Sequence, residues 1–357
     1  MNTGIVGIEA YLPERTKVNS EWPPAVVDQW RSRLANLVPR NSAATKLRTP
    51  GVDRSLAAAA KLVDDPFQGS QVRRVIGEDQ WPSDLAAIAG NNLMQRLNAS
   101  RDSVGLLLAH GMVPDYQCAN FASVVHEKLH LTSQTPAFCV DAVCASFLVQ
   151  FNVASRWVSS FPGNEMVLST LSSACSVIMP SSEPTSAWMG DAGAAALFGK
   201  VDEGFGLLGS ASTTDGTMHK GFVATVLDGR WYDDGKVVAC TQDKHSVRRM
   251  QLEAADYARD VISRALASAR VDASEVNFFA SHQPAIWFPE LCREYSGLTN
   301  AQLVNTFAWT GNLSNVNVPM QLALGSRERL LKKGDVVVAF SISSGMMVVA
   351  SVFRWAI

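Results

Sequence analysis

The sequence predicts an α/β fold in which buried strands are layered between helices, with two related halves. Apolar, β-rich runs such as VGLLLAH (104–110) alternate with longer amphipathic runs along the chain. That alternation is typical of strands covered by helices on both faces. The segments 144–171 and 312–340 also share one order of elements: a helix-like run, a glycine-containing turn and a buried strand. We therefore interpret 1–200 and 201–357 as two related halves.

Two segments interrupt this alternation. Residues 19–80 contain WPPAVV, VPRNSAATKL and DDPFQGS, and they are polar, interrupted by proline and irregular. We interpret this stretch as an elaboration of the first half rather than a domain of its own. The charged segment 228–249 is predicted to be a similar insertion. The pattern of apolar residues that follows predicts a long helix from about 246 to 270.

The composition excludes several classes of function. In 357 residues, 47% are hydrophobic and 18% charged, and the net charge is −2. A chain without a field of one sign is not expected to bind nucleic acid. No apolar run reaches the roughly 20 residues that a membrane helix needs, and the start MNTGIVGIEAYLPE lacks the pattern of a signal peptide. We expect a cytoplasmic enzyme that does not interact with membranes.

The cysteines do not predict a disulfide framework or a metal site. Six cysteines in a chain of this length are too sparse for a disulfide scaffold, and none forms a C-x-x-C pair. Cys139 and Cys144 could be taken for half of a zinc site, but no second pair of matching spacing follows. We expect no bound metal.

Cys144 is the first candidate for chemistry. It follows the strand-like run TPAFCV and opens the helix-like run CASFLVQF. A thiolate in the first turn of a helix is stabilised by the helix dipole and by free N–H groups, which lowers its pKa. The small residues Ala145 and Ser146 leave room for a substrate carbonyl, and the backbone N–H of Cys144 could face a developing oxyanion. Packing in the core is the alternative, and this segment alone does not decide between them.

A histidine and an asparagine complete the candidate set. His282 lies just past the buried run NFFAS, where residues of α/β sites gather, and Pro284 fixes the turn after it. Asn312 opens the second-half run that resembles the Cys144 run, although an N-cap asparagine would look the same. We expect the thiol, the imidazole and the carboxamide to converge where the two halves meet.

These residues lie in motifs that resemble the β-ketoacyl-(acyl carrier protein) synthase III family of the thiolase superfamily. The five motifs follow the order and spacing of that family over nearly the whole chain, and they are GIEAYLPE, VCASF, MGDAGAAALF, SHQPA and TGNLSNVNVP. The resemblance implies a thiolase fold, five-layered αβαβα with two related halves. It also implies a homodimer as the usual assembly, with a heterodimer as the other possibility.

The resemblance further implies a catalytic role for each residue. Cys144 would accept an acyl group from an acyl-CoA or acyl carrier protein thioester, with its own backbone N–H and that of Gly345 holding the oxyanion. His282 and Asn312 would hold the carbonyl of a malonyl-type thioester while it loses carbon dioxide. The resulting enolate would attack the acyl-Cys and release a β-keto product. No cofactor is implied beyond the thioester substrates.

Two departures from the family narrow the prediction. The stretch SISSG stands where the family commonly has a glycine-rich run, and Trp287 stands where the fatty-acid enzymes often have an arginine for the carrier protein. The motifs CASF and HQPA look closer to secondary-metabolite members. Transfer of the acyl group to an amine, a hydroxyl or a non-malonyl carbon therefore stays open, with His282 as general base. A third possibility is a non-catalytic partner subunit.

Further residues are candidates for substrate contacts. Apolar side chains near the motifs could line an acyl tunnel, and these are Trp287, Trp309, Phe288 and Met346. A basic patch near the entrance would hold the phosphates of coenzyme A or of a carrier, and its candidates are Arg248, Arg249, Arg40 and Arg48.

Overall fold

The computed structural model describes residues 2–32 and 48–357. In chain order its strands are β1 (Asn2–Tyr11), β2 (Thr16–Val18), β3 (Val72–Arg74), β4 (Val104–Gly111), β5 (Ala137–Cys139), β6 (Met166–Ser173), β7 (Ala192–Val201), β8 (Gly206–Thr214), β9 (Val223–Val226), β10 (Val237–Cys240), β11 (Phe278–Ser281), β12 (Val336–Ser343) and β13 (Met347–Arg354). Arg40 lies outside the described residues.

The helices follow the predicted alternation. They are α1 (24–32), α2 (Pro50–Ala60), α3 (Pro82–Arg96), α4 (Phe121–Lys128), α5 (Ser146–Ser160), α6 (Lys244–Ala269), α7 (Phe288–Tyr295), α8 (Phe307–Thr310) and α9 (Asn317–Arg327). Helix α6 confirms the long helix predicted from the apolar pattern. In the described part of the chain, no helix has the length and apolar character needed to cross a membrane.

Two large sheets form the framework within the described residues. The first has the strand order β1-β7-β6-β4-β5 and the second the order β11-β12-β13-β8. In the first sheet β4 runs parallel to β5 and β6, and β7 runs antiparallel to both β1 and β6. In the second sheet β11 and β12 are parallel, and β13 is antiparallel to both β12 and β8. Along the chain, the last strand of the first sheet, β7, ends at Val201, and the first strand of the second sheet, β8, begins at Gly206.

The helices and sheets stack in five layers, αβαβα. Helices α3 and α4 cover the outer face of the first sheet, and α6 and α7 cover the outer face of the second. Helices α5 and α9 contact both sheets and form the central layer. The fold class predicted from the sequence is confirmed.

The central layer is apolar because a sheet covers it on each side. On α5, the ring of Phe151 stacks on Phe198 of the first sheet with centroids 4.7 Å apart, and it meets the edge of Phe353 of the second sheet at 5.4 Å. Such aromatic pairs contribute beyond the area that they bury. The starts of α5 and α9 are thereby fixed between the two halves.

The interrupting segments form small additions to this framework. Within the described part of 19–80 lie helices α1 and α2 and strand β3, which pairs with β2. The charged segment 228–249 contains the turn that follows β9, strand β10 and the start of α6. Strands β9 and β10 pair as an antiparallel hairpin. The prediction of a simple loop there missed β10.

Strand β7 approaches α3 so closely at Gly193 that the packing leaves no room for a side chain there. A Cβ added to Gly193 would overlap the backbone oxygen of Leu85. We expect Gly193→Ala to lower the free energy of unfolding by about 1–3 kcal/mol, the usual cost of overpacking. Denaturant unfolding would measure it. Gly216→Ala is the matched control, because nothing lies within 4 Å of a Cβ added at that position. Equal effects of the two changes would contradict this account of the packing.

Candidate active site

A tight turn before α5 presents Cys144. The turn Val143–Ala145 is a short 3-10 helix, and Val143 has a φ of +53°, which is rare for a β-branched residue. Two side chains hold it: Asp141 Oδ1 accepts the Val143 N–H at 2.8 Å, and Ser146 Oγ accepts the Ala142 N–H at 2.9 Å. The strained backbone is therefore fixed by polar contacts on both sides of Cys144.

The turn before α9 has the same construction. Ser314 has a φ of +53°, and its N–H donates to Asn312 Oδ1 at 2.9 Å. Asn317 Oδ1 accepts the Leu313 N–H at 3.1 Å, as Ser146 does for Ala142 in the other half. Asn312 therefore corresponds to Asp141, and Asn317 to Ser146. The sequence had suggested that Asn312 occupies the start of this helix. In the structure Asn312 precedes α9, which begins at Asn317.

The two turns meet between the sheets. Cys144 Sγ lies 3.2 Å from Ser314 Oγ, which joins the nucleophile candidate to the second-half turn. Ser341 Oγ on β12 donates to the carbonyl oxygen of Cys144 at 2.8 Å. The second half thus contacts both the thiol and the backbone of a residue that the first half supplies.

The surroundings of Cys144 favour a protonated thiol. Burial raises the pKa of the Cys144 thiol to about 11, although the Ser314 side chain and the backbone groups of Ser344 and Cys144 act in the opposite direction. The sequence had predicted a lowered pKa from the position at a helix start, but desolvation dominates. A thiol is a strong nucleophile only in its thiolate form, so Cys144 would have to lose its proton before it reacts.

His282 lies at the end of β11, as the sequence predicted, and it is buried. Burial lowers the pKa of His282 to about 4, and the backbone carbonyl of Ser314 acts in the opposite direction. The imidazole is therefore neutral at physiological pH. Asn317 Nδ2 lies 3.1 Å from Nδ1 of the ring.

Asn312 is held by its backbone and by its side-chain oxygen. Its N–H donates to the Trp188 carbonyl at 2.6 Å, and its carbonyl accepts the Gly190 N–H at 3.0 Å. Its Oδ1 accepts from Ser314 N and, at 2.6 Å, from Asn317 Nδ2. These two donors fix which end of the amide is oxygen. Within residues 2–32 and 48–357, Nδ2 of Asn312 makes no hydrogen bond.

A second buried histidine lies at the equivalent strand end of the first half. His110, at the end of β4, contacts Asp141 Oδ1 through Nε2 at 3.0 Å and Asn315 Nδ2 through Nδ1 at 2.9 Å. The hydrogen bond with His110 lowers the pKa of Asp141 to about 2, against an opposing effect of burial. This network keeps Asp141 ionised and in place to support the Cys144 turn.

An apolar cavity of about 290 Å³ lies beside the thiol. Val143, Ser344 and Gly345 form the end next to Cys144, and the remaining wall comes from Met112, Cys175, Ile178, Met179, His219, Phe222, Val223, Ala224 and Ala239. The hairpin of β9 and β10 closes one side. Such a cavity could hold an acyl chain.

The four tunnel residues proposed from the sequence do not line this cavity. Phe288 and Met346 are fully packed in the core between the second sheet and its outer helices, and Trp287 is partly buried against that core. Trp309 on α8 is 39% exposed. Apolar character alone could not separate the core from the cavity wall, because both are built from the same residue types.

The backbone near the thiol offers donors for an oxyanion. The backbone of Ser344 and that of Cys144 itself reach the thiol, and Gly345 lines the adjacent cavity with a φ of +77°. Gly345 lies one residue after Ser344, whose backbone reaches the thiol, and its part in holding an oxyanion stays a prediction.

The predicted phosphate-binding arginines that the structure describes all have interaction partners. Arg249 pairs with Glu253 and Asp215, and Arg48 lies 3.7 Å from Asp53. Arg248 lies on α6 with other partners. A second cavity of about 250 Å³ shares Met179 with the apolar one, and its basic residues are Arg15, Lys17 and Arg73. These three were not singled out in the sequence, because they are scattered through the irregular segment and its flanks.

The sequence also missed several supporting residues. Asp141, Ser314 and Asn317 carried only a weak signal, which was their place beside the chosen residues in VCASF and TGNLSNVNVP. Cys175, taken as structural, follows β6 at a strand end and lines the cavity. Burial raises its pKa to about 12. Among the described residues, no group of three or more His, Cys, Asp or Glu side chains could hold a metal ion.

The chain is similar to known β-ketoacyl-[acyl-carrier-protein] synthase III proteins. Residues 266–355 match the family model of the 3-oxoacyl-[acyl-carrier-protein] synthase III C terminal. The chain is 24% identical over 355 residues to β-ketoacyl-[acyl-carrier-protein] synthase III of Oceanobacillus iheyensis, covering 99% of each chain. It is 23% identical over 291 residues to the enzyme of that name from Caldanaerobacter subterraneus subsp. tengcongensis, covering 80% of this chain and 87% of the relative.

Solved structures decide the fold. The structure of β-ketoacyl-[acyl carrier protein] synthase III from Thermus thermophilus matches with a TM-score of 0.75 at 23% identity, covering 99% of both chains. This chain has the thiolase fold. OleA from Xanthomonas campestris, in a structure with bound lauric acid and lauroyl-CoA, also matches with a TM-score of 0.75, at 18% identity and with 99% of both chains covered. At these identities the likeness establishes the fold, and the function rests on the site.

The raised pKa of Cys144 gives a testable pH dependence. The thiolate is the reactive form. As long as the pH is below the pKa of about 11, each increase of one pH unit raises the thiolate fraction tenfold. We expect alkylation of Cys144 by iodoacetamide to accelerate by roughly tenfold per unit from pH 7 to pH 9.5. Peptide mapping by mass spectrometry would follow each cysteine separately. A rate that levels off near pH 7 would show that the thiol is already ionised.

Proposed function

We propose that the protein is a condensing acyltransferase of the β-ketoacyl synthase III type. In this proposal Cys144 takes an acyl group from a thioester, and a malonyl-type thioester then condenses with the acyl-Cys and loses carbon dioxide. The observation that carries the proposal is a pair of neutral donors, with Asn312 in the turn before α9 and His282 at the end of β11. Nδ2 of Asn312 is turned away from its own turn, and the neutral imidazole of His282 lies beside the same Asn317 amide.

The first half-reaction loads the nucleophile. Cys144 Sγ attacks the thioester carbonyl, and backbone N–H groups of the Cys144 and Ser344–Gly345 turns stabilise the oxyanion. Collapse of the tetrahedral intermediate expels the donor thiolate, which takes up the proton that the Cys144 thiol loses. The acyl chain would lie in the apolar cavity, whose wall begins at Val143 and Gly345.

The second half-reaction forms the new carbon–carbon bond. Loss of carbon dioxide from the malonyl-type thioester leaves an enolate, whose oxygen accepts hydrogen bonds from His282 and Asn312. Neutral donors suit this step because they stabilise the enolate without protonating it. The enolate carbon attacks the acyl-Cys carbonyl, and the Cys144 thiolate leaves and is reprotonated. The β-keto product remains on the extender thiol.

Transfer of the acyl group to an amine, a hydroxyl or a non-malonyl carbon is the alternative. That reaction needs a general base, and its efficiency is greatest when the pKa of the base is near the working pH. The pKa of His282, lowered to about 4 by burial, makes this imidazole a weak base. The same value keeps it an uncharged donor. The site therefore favours condensation over simple transfer.

The partners follow from the chemistry. Acyl-CoA or an acyl carrier protein would deliver the acyl group, and the cationic second cavity beside Met179 supports a donor that carries phosphates. We place the reaction in secondary metabolism on the basis of the CASF and HQPA motifs, and we propose a homodimer. The reaction needs no resident cofactor.

Acyl loading of Cys144 is the direct test. The purified protein would be incubated with acyl-CoA thioesters of increasing chain length and examined by intact mass spectrometry, then mixed with malonyl-CoA. We expect an adduct that maps to Cys144, is absent from Cys144→Ala, and is discharged with release of carbon dioxide and a β-keto product. Cys175→Ala is the matched control and should still be loaded. Discharge by amines or alcohols, but not by malonyl-CoA, would favour the alternative.

The cavity assigns a role to Ala239. This residue on β10 is 3% exposed and lines the apolar cavity, so a larger side chain there would occupy acyl space. We expect Ala239→Leu to shift the preferred acyl donor to shorter chains, with kcat/KM for the longest accepted donor reduced by roughly tenfold. Competition between two acyl-CoA lengths would measure the shift. An unchanged preference would place the acyl chain elsewhere.

A further inference from the structure

The amide of Asn317 contacts both second-half donors at once. Its Nδ2 lies 2.6 Å from Asn312 Oδ1 and 3.1 Å from His282 Nδ1, and it also donates to the Ser314 carbonyl at 3.1 Å. Asn317 is 1% exposed, so these contacts are made away from water. A buried side chain with three such contacts constrains the orientation of every group that it touches.

The orientation of the Asn317 amide is determined by its other end. Oδ1 accepts the Leu313 N–H at 3.1 Å, and an oxygen is required there because the partner is a donor. Nδ2 is therefore the amide nitrogen, which can only donate. Nδ2 carries two protons for three acceptors, which are Asn312 Oδ1, the Ser314 carbonyl and His282 Nδ1, so these acceptors share them. When Nδ1 of the neutral ring accepts this contact, the single ring proton lies on Nε2.

The same contact sets the orientation of Asn312. With Asn317 Nδ2 and the Ser314 N–H both donating to it, the Asn312 side-chain atom must be oxygen, and Nδ2 points the other way. An amide rotated by 180° would place two donors against each other at both contacts. Asn317 thus contacts both residues, and it orients the Asn312 amide together with the Ser314 N–H.

We propose that Asn317 is the positioning residue of the site, which fixes the Nε2–H tautomer of His282 and directs Nδ2 of Asn312 toward the substrate. This rests on the proposed function for its kinetic consequence, but the tautomer is a property of the resting protein. The first half offers an internal comparison, because Ser146 fills the equivalent turn position and holds the turn through its hydroxyl. The turn itself therefore does not require an amide.

Asn317→Asp is the decisive variant. It keeps an acceptor for the Leu313 N–H but replaces the donor with an oxygen, which favours a proton on Nδ1 of His282 and repels Asn312 Oδ1. We expect kcat for condensation to fall by about 10²-fold, the usual cost of losing one oriented donor. Loading of Cys144 should change little, because Cys144 shares no hydrogen bond with Asn317 among the described residues.

Nitrogen-15 NMR of histidine-labelled protein gives a readout that a structural role would not move. In the wild type, at alkaline pH, the His282 ring should show a protonated Nε2 and an unprotonated Nδ1, assigned by difference from His282→Gln. In Asn317→Asp the proton should move to Nδ1. Asn305→Asp is the matched control, because Asn305 also accepts a backbone N–H and donates to a carbonyl, and it contacts neither His282 nor Asn312.

Asn317→Ser separates positioning from folding. A serine can hold the Leu313 N–H as Ser146 holds that of Ala142, but it lacks the amide nitrogen. We expect this variant to stay folded, with a cooperative melting transition, and to lose roughly tenfold in kcat for condensation, the equivalent of one neutral hydrogen bond. Its kcat for acyl loading should be retained.

The outcomes distinguish the two proposals. If the wild type condenses and both Asn317 variants match it in kcat and tautomer, the positioning role is overturned and the function stands. If the wild type does not load or condense, the proposed function fails, and the NMR comparison still decides the tautomer. Loss of condensation with an unchanged His282 tautomer would also overturn the inference.

Discussion

The site depends on two tight turns that are forced together between the sheets. Each turn precedes a central helix and holds a non-glycine residue in the left-handed region, Val143 in one and Ser314 in the other. Side-chain oxygens on either side compensate for that strain. Because α5 and α9 are each packed against both sheets, neither turn can move away from the other. The contact of Cys144 Sγ with Ser314 Oγ results from this packing.

Burial then determines the protonation of the groups at this contact. The thiol and the imidazole are both desolvated, so each is held in its neutral form, with the pKa of Cys144 raised and that of His282 lowered. Desolvation raises the pKa of an acid and lowers the pKa of a base, so it favours the neutral form of both. Asp141 is the exception, because its side chain is exposed and has His110 and the Val143 N–H as partners. The charged group thus supports the nucleophile turn from outside.

The sequence predicted the fold class for physical reasons, because buried strands and amphipathic helices have distinct periods. Cys144, His282 and Asn312 were chosen because strand ends and helix starts are where chemistry gathers in such folds. The structure places Cys144 and Asn312 in the turns before the central helices and His282 at a strand end, while their catalytic roles stay predictions. The pKa of Cys144 was predicted with the wrong sign, because the position of a helix start can be read from the sequence but the depth of burial cannot. The cavity wall was missed for the same reason, since Met112 and Ala239 come together only through the packing of distant segments.

Burial of the Cys144 thiol also affects how fast oxidants react with it. Peroxides attack the thiolate, so a cysteine that is protonated at rest is converted to sulfenic acid slowly. Cys144 is therefore expected to react slowly with peroxide while it stays buried and protonated. Cys118 and Cys139 are exposed at the surface, where an oxidant would meet them first. The burial that raises the pKa of Cys144 thus also protects its sulfur from oxidation.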